Sequence, residues 1–371
     1  MDRLKLGIIL GGRSGERTVS CASGISVARA ARADRYDVSL IGITPEGKWL
    51  LLDSEKDVER PDDPGRARIR PGAGRPISPV PWTRSFAFVD EKGSGLPGRL
   101  EIDVVFPALH GPFGEDGTVQ GLFEVMDMPY VGATVLGSSI GMDKDVTKRL
   151  ARDAGLEIAP FLVVRDRHWI ADRDAATTNV QAWCEKQGYP AFVKPSNMGS
   201  SVGISKVKDP GSVAASLEEA FRHDSKVVVE KGIDAREIEC AVLGGSDPEA
   251  ASALGEIVPD PGDFYTFDAK YMNSTRTVVP ADLDAPLVAR IRHLAVRAFR
   301  ALDCYGMARV DFLVDRATGT PCFSELNTIP GFTRISMYAS MWEASGLPYP
   351  ALIDRLVDLA LERHRASPAS R

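Results

Sequence analysis

Four polar residues on two neighbouring segments carry the strongest chemical signal: Arg309 and Asp311 in MARVDFLV (307–314), Glu325 and Asn327 in CFSELN (322–327). Side chains alternate along a strand, so Arg309 shares a face with Asp311, and Glu325 with Asn327. A hairpin turning near Thr318 sets Asp311 opposite Glu325 and Arg309 opposite Asn327. Directly opposed carboxylates repel and weaken a sheet, so positive charge is needed between them. Arg309 supplies part of it. Two carboxylates and an amide oxygen on one face are also hard oxygen ligands suited to magnesium, which takes further ligands from substrate phosphates. The competing reading is an exposed ion-pair ladder. The metal reading is favoured because Val310, Phe312 and Leu326 make the opposite faces apolar, and a loop of proline, glycine and threonine follows at once.

Other constellations are weaker when taken singly. Lys194 in Phe192-Val193-Lys194-Pro195 precedes a glycine- and serine-rich stretch, Ser196 to Gly203. Such turns expose N–H groups and hydroxyls that cradle phosphates. No GxxxxGK[ST] or GxGxxG loop occurs. Val227-Val228-Val229-Glu230-Lys231 reads as a buried strand ending in a charged pair. It fits an adenine edge or a strand that simply reaches solvent. Asp260 through Tyr271 is long, polar and aromatic, as in a loop that closes over a site or a plain surface loop. His110 to Gly117 follows an apolar strand, where ligands of α/β sheets commonly bind.

These residues need a scaffold. Residues 4–10 read as a buried strand, Gly11, Gly12 and Ser14 as a turn, and a helix starts near Glu16, the opening of a doubly wound α/β domain. A further strand is expected at 102–109. Between them, 61–97 holds seven prolines and is read as an irregular surface insertion with short strands at most. Helices are expected at 145–154, 212–222, 285–302 and near 350–363, and strands near 191–194, 202–207 and 226–230. Leu287, Ile291, Leu294 and Phe299 form the apolar side of the 285–302 helix. The fold class is α/β and α+β.

The 371 residues suit two or three domains, and 44% hydrophobic with 26% charged residues is a soluble balance. A net charge of −6 argues against general nucleic-acid or anionic-membrane binding. Five scattered cysteines without a CxxC pair read as small buried apolar residues in a reducing compartment. Neither a signal peptide nor an apolar run of membrane-spanning length is evident, so a cytoplasmic location is expected.

Taken in order, HGPFGEDGTVQGLFE (110–124), PYVG (129–132), MDK (142–144), KPSNMGSSVG (194–203), FYTFDAKY (264–271) and ELNTIPGFT (325–333) resemble the D-alanine–D-alanine ligases of the ATP-grasp superfamily. The resemblance runs from GGRSGERTVS (11–20) to the last helix. It implies an N-terminal α/β substrate domain (1–147), then a two-lobed ATP-grasp fold with a central lobe (148–235) and a C-terminal lobe (236–371) bearing a closing loop (258–282). The implied reaction joins two D-alanine molecules through an acyl phosphate, with ADP and phosphate as by-products, for peptidoglycan precursor synthesis.

By the same resemblance, Glu16 holds the ammonium of the first D-alanine, with His110 near it. Lys144, Lys194, Ser200, Ser201 and Lys270 serve the ATP phosphates. Glu230, Lys231 and Ile233 line the adenine site. Ser200, Glu237 and Tyr271 link the glycine loop to the closing loop. Asp311, Glu325 and Asn327 bind two magnesium ions, with manganese as a substitute. Arg309 and the Gly331 N–H stabilise the oxyanion, and Ser336 and Met337 receive the carboxylate of the second D-alanine. A homodimer is also implied. Asn197-Met198 and Phe267 depart from the family pattern, the latter removing a lid hydroxyl. Relatives using D-lactate or D-serine are the near alternative, and a non-catalytic ATP-binding module the distant one. Tyr271 speaks against the first and the intact metal set against the second.

Overall fold

The computed structural model describes residues 3–259 and 275–367. The chain opens with β1 (Leu4–Gly11), α1 (Arg17–Ala30), β2 (Tyr36–Ile43) and β3 (Trp49–Leu52). The interior of β1 is fully buried, because the α/β layering covers a parallel strand on both faces. A small ribbon, β4 (Val58–Glu59) and β5 (Arg68–Ile69), precedes β6 (Arg75–Val80), β7 (Ser85–Val89), β8 (Gly95–Glu101) and β9 (Val104–Pro107). The seven-stranded sheet has the order β8-β7-β6-β3-β2-β1-β9. β2, β1 and β9 are parallel, and the rest are antiparallel.

The expectation of an irregular insertion at 61–97 is corrected here. Most of that stretch forms a meander that widens the sheet. Ile77 and Phe86 alternate inward to the core, with Phe88 and Leu100 packed against it, a pattern the prolines mask. β8 is the edge and is nearly all exposed, where Pro97 costs no ladder bond.

Helices α2 (Thr118–Val125), α3 (Val135–Met142) and α4 (Lys144–Asp153) follow. Asp143 caps α4 by accepting from the Asp145 and Val146 N–H groups, which fixes Lys144 as its first residue. The next sheet is β10-β13-β11-β12, from β10 (Phe161–Arg165), β11 (Ala191–Pro195), β12 (Ser205–Val207) and β13 (Lys226–Lys231). Its helices are α5 (Asp166–Ala171), α6 (Arg173–Gln187) and α7 (Val213–Phe221).

The third sheet contains β14 (Ala235–Gly244), β15 (Glu249–Ala250), β16 (Gly255–Pro259), β17 (Thr275–Val278), β18 (Gly306–Asp315) and β19 (Pro321–Asn327), with β14 between β16 and β18. α8 (Ala285–Ala301) covers it through Ile291 and Phe299, with Leu287 and Leu294 partly buried beside them. The chain ends with α9 (Met337–Ala344) and α10 (Tyr349–Ala366).

α10 returns to the first sheet. Its Leu352, Ile353 and Leu356 share one core with Leu6, Ile8 and Phe106. The Tyr36 hydroxyl donates to Asp354 at 2.7 Å, and Arg363 donates to the carbonyls of Gly132 and Tyr130. The first and last parts of the sequence therefore build a single core. All five cysteines are buried, and burial pushes the Cys322 thiol up to about 11.

Candidate active site

Period-two alternation and a tight turn determine the β18–β19 register. Asp311 faces Glu325 and Arg309 faces Asn327, as expected. The register then shifts between Asp311 and Phe312, leaving Ser324 as the extra residue of a bulge beside the charged pair. Arg309 holds Asp311 with two prongs, at 2.8 Å and 2.7 Å. Glu239, on the adjacent β14, lies 3.1 Å from Arg309. Asn327 donates to Asp311 at 3.0 Å. Burial alone would lower the Arg309 pKa, but Asp311, Glu239 and Glu325 outweigh it and raise it well above the ordinary value. One guanidinium thus stands among three carboxylates. Glu239 escaped the sequence reading because its partner lies seventy residues away on another strand pair.

β11 delivers Lys194 to the glycine loop. Ser200 and Ser201 both have left-handed backbones, at φ 48° and 59°, as in a tight turn. The Ser200 hydroxyl donates to Glu16, at the start of α1. Gly111 and Gly199 press on the same carboxylate: a Cβ at either would come within 3.0 Å of Glu16. Three segments remote in sequence therefore meet at one acid. Lys194 Nζ donates to Glu230 at 2.9 Å, and the buried Lys148 approaches the same oxygen at 3.3 Å. Burial would raise the Glu230 pKa, but Lys148 and Lys194 draw it below its ordinary value. Its other oxygen, Oε1, is buried with no hydrogen-bond partner among the described residues. Lys231 and Ile233 are half-buried where β13 gives way to β14, and the Lys231 N–H donates to the Pro160 carbonyl.

Lys144 leaves the capped end of α4 and donates to the Met198 carbonyl at 2.6 Å, while its N–H reaches Ser196. An ion cluster that sequence reasoning missed fixes this contact. Lys226 bridges Asp143 and Asp145, and Ser196 donates to Asp143. No local motif announces it, because its members come from the ends of two strands of the second sheet and the start of α4.

His110 is buried. Its Nδ1 faces the Ile329 carbonyl at 2.9 Å, so Nδ1 carries the proton and Nε2 accepts from Ser23 at 3.0 Å. Burial lowers its pKa although Glu16 opposes this, so the ring is neutral. Glu115 is a further residue that the sequence reading missed. It accepts the Gly111 N–H at 2.6 Å and the Ile329 N–H at 3.1 Å, clamping the 110–117 loop to the loop after β19. Burial and the charge of Glu16 raise its pKa to about 8.

A cleft of about 310 Å³ joins these pieces. Glu16, His110, Lys144, Ser200, Ser201, Arg309, Glu325, Asn327, Gly331, Ser336 and Met337 all border it. Lys194, Glu230, Lys231, Ile233, Glu237 and Asp311 do not: the Lys194–Glu230 pair is drawn together, and Arg309 holds Asp311. Ser336 precedes α9, and its hydroxyl accepts from the Thr333 N–H at 2.9 Å. The first N–H groups of α9 lack helical partners and favour an anion there. Lys270 and Tyr271, with most of the expected closing loop, lie outside the described residues. The flanking β16 and β17 pair with each other, and Ile257 and Thr277 border the cleft.

Two family profiles together match most of the chain. The profile described as "D-ala D-ala ligase N-terminus" matches residues 5–133, and "D-ala D-ala ligase C-terminus" matches 150–358. A protein named D-alanine–D-alanine ligase A from Chromobacterium violaceum is 45% identical over 371 residues, covering 100% of this chain and 98% of that one. Its namesake from Escherichia coli K12 is 45% identical, covering 100% and 99%. The D-alanine–D-alanine ligase structure from Coxiella burnetii superposes with a TM-score of 0.82 at 35% identity, covering 98% of this chain and 96% of that one. The VanG D-Ala:D-Ser ligase of Enterococcus faecalis gives 0.81 at 33%, covering 97% and 100%.

Proposed function

This chain belongs to the D-alanine–D-alanine ligase family, and from that premise we propose how its cleft performs the family's chemistry. The enzyme joins two D-alanine molecules with ATP to give D-alanyl-D-alanine for cell-wall synthesis. The observation that carries the reading is that one cleft is bordered both by Lys144, Arg309, Glu325 and Asn327 and by Glu16 and Ser336. Groups suited to phosphate and groups suited to an amino acid thus share one cleft.

A carboxylate is a poor electrophile, so the carboxylate oxygen of the first D-alanine attacks the γ-phosphorus, the bond to the β-phosphate oxygen breaks, and ADP leaves as the acyl phosphate forms. Glu16, oriented by Ser200, receives its ammonium, and neutral His110 stands behind. Lys144, Lys194, Ser201 and the glycine-loop N–H groups gather the phosphates, with Lys270 joining from the closing loop. The buried Oε1 of Glu230, which has no hydrogen-bond partner among the described residues, suits the amino group of an adenine, with Lys231 and Ile233 beside it. Catalysis of this step is mostly positioning and charge neutralisation.

Two magnesium ions, or manganese, fit the donor chemistry. Arg309 neutralises one charge among Asp311, Glu239 and Glu325, so negative charge is left over, and Asp311, Glu325 and Asn327 supply oxygen donors. When bound, the metal would draw charge from the phosphate oxygens. The second D-alanine, its carboxylate at Ser336 and Met337, loses a proton from its ammonium. Its amine then attacks the acyl carbon, Arg309 and the Gly331 N–H stabilise the oxyanion, and phosphate leaves. Tyr271, Ser200 and Glu237 would tie the closing loop to the glycine loop, keeping water from the acyl phosphate.

We infer domain limits at 147 and 235. The first two of the larger sheets each fall within one segment, the third begins at the second limit with Ala235, and α4 crosses the first limit. No described helix is long and apolar enough to cross a membrane. A cytoplasmic homodimer that binds neither nucleic acid nor membrane is the inferred working form, supported by family membership and the net charge of −6. Phosphate release measured across D-alanine, D-serine, D-lactate and L-alanine tests the reading. Dipeptide from D-alanine is expected; ester from D-lactate with no dipeptide near neutral pH would sink it.

A further inference from the structure

The outer end of the cleft is walled by a segment that the reaction leaves without a role. Pro64 borders the cleft together with Val19, Ile335 and Ser336. Beyond it lies a second cavity of about 670 Å³. Pro64, Thr333 and Ile335 border both spaces, so they are the partition between them. Val19, Pro64 and Ile335 are apolar, and they line the same cleft as Ser336, the residue that precedes α9.

Pro64 is held firmly. Arg29 of α1 grips Asp62 at 2.5 Å and Glu55 at 2.7 Å. The Gly65 N–H donates to the Asp63 side chain, and the Ala67 N–H to the Asp63 carbonyl. Ala67 is itself fully buried in the main core. A proline ring with fixed φ, tied on both sides, makes a stiff wall. Ile335 opposite is 85% exposed and has no such support.

Resting on the assignment of Ser336 and Met337 to the acceptor carboxylate, we propose that Pro64 determines acceptor specificity. It closes the side-chain end of the second-substrate subsite and restricts that subsite to a methyl-sized group. Removing the ring opens the subsite into the second cavity and admits longer side chains.

The test compares wild type, Pro64→Gly, Pro64→Ala and Ser336→Ala. D-Alanine, D-2-aminobutyrate and D-norvaline are offered as second substrate, phosphate release is measured, and mixed dipeptides are identified by mass. Pro64→Gly is expected to raise the D-norvaline to D-alanine ratio of kcat/KM about tenfold, the scale of a methylene-sized change in an apolar pocket. Pro64→Ala should raise it less, and the KM values for ATP and the first D-alanine should hold. Should Pro64→Gly fail to fold, the ratio in Pro64→Ala decides. An unchanged ratio in folded variants, with Ser336→Ala still raising the second D-alanine KM, overturns the role of Pro64 alone. If Ser336→Ala leaves that KM unchanged, the acceptor assignment fails and takes this proposal with it.

Discussion

Arg309 has more negative neighbours than it can neutralise, and that imbalance is the most consequential arrangement at the residue scale. Lysine would keep the charge but lose the two-pronged hold on Asp311. Arg309→Lys should lower kcat by about a hundredfold, the usual scale for a lost oxyanion donor, with KM for ATP changed less; steady-state kinetics checks both. Glu325→Ala should abolish turnover while circular dichroism and melting stay like wild type, and an active variant would refute the metal assignment. Glu115 adds a pH signature. Its folded value of about 8 exceeds the 4.5 of an ordinary glutamate. Between these values the folded chain keeps a proton that the unfolded chain has lost, so stability falls as pH rises through the interval. Denaturant unfolding at pH 5, 6.5 and 8 should show a shallower decline in Glu115→Gln than in wild type.

At the element scale, the site depends on how loops and helix ends are tied down. The capped start of α4 aims Lys144, and Lys226 clamps that cap to the central sheet. Lys226→Met leaves Asp143 without its cation, although Asp145 keeps Arg149, and removing one partner of a buried ion pair costs roughly 3 kcal/mol or more. A lower denaturation midpoint is expected, together with a higher KM for ATP. Gly199→Ala would drive a methyl into Glu16, so the KM for the first D-alanine should rise while that for ATP moves little. Elements of this kind were legible where a local rule determines them. Alternation fixed the Asp311–Glu325 pairing, and apolar spacing fixed α8. The 75–101 meander was hidden because Pro76, Pro79 and Pro97 argue against strands, while Ile77 and Phe86, which settle it, show only against a sheet already formed. Glu115, Glu239, Lys148 and Lys226 were hidden for another reason. Each draws its meaning from a partner on a separate element, and spacing along the chain carries no trace of that.

At the scale of the whole molecule, the cleft is a seam where all three larger sheets contribute. Glu16 comes from the first, the glycine loop from the second, Arg309 and Glu325 from the third. The seam stays closed at its back through α10, whose Asp354 accepts from Tyr36 and pairs with Arg32 and Arg35. Asp354→Ala removes a nearly buried acceptor shared by three donors and should cost about 1–3 kcal/mol, read as a lower melting temperature with the KM values intact.

That closing helix also sets the order of events during synthesis. Domains commonly fold as their residues leave the ribosome, the N-terminal one first. Here the first sheet cannot complete its core until α10 has been made, because Leu352, Ile353 and Leu356 are part of it. The opening strand of the nascent chain must therefore wait for α10, separated from it by most of the chain, before its core is complete.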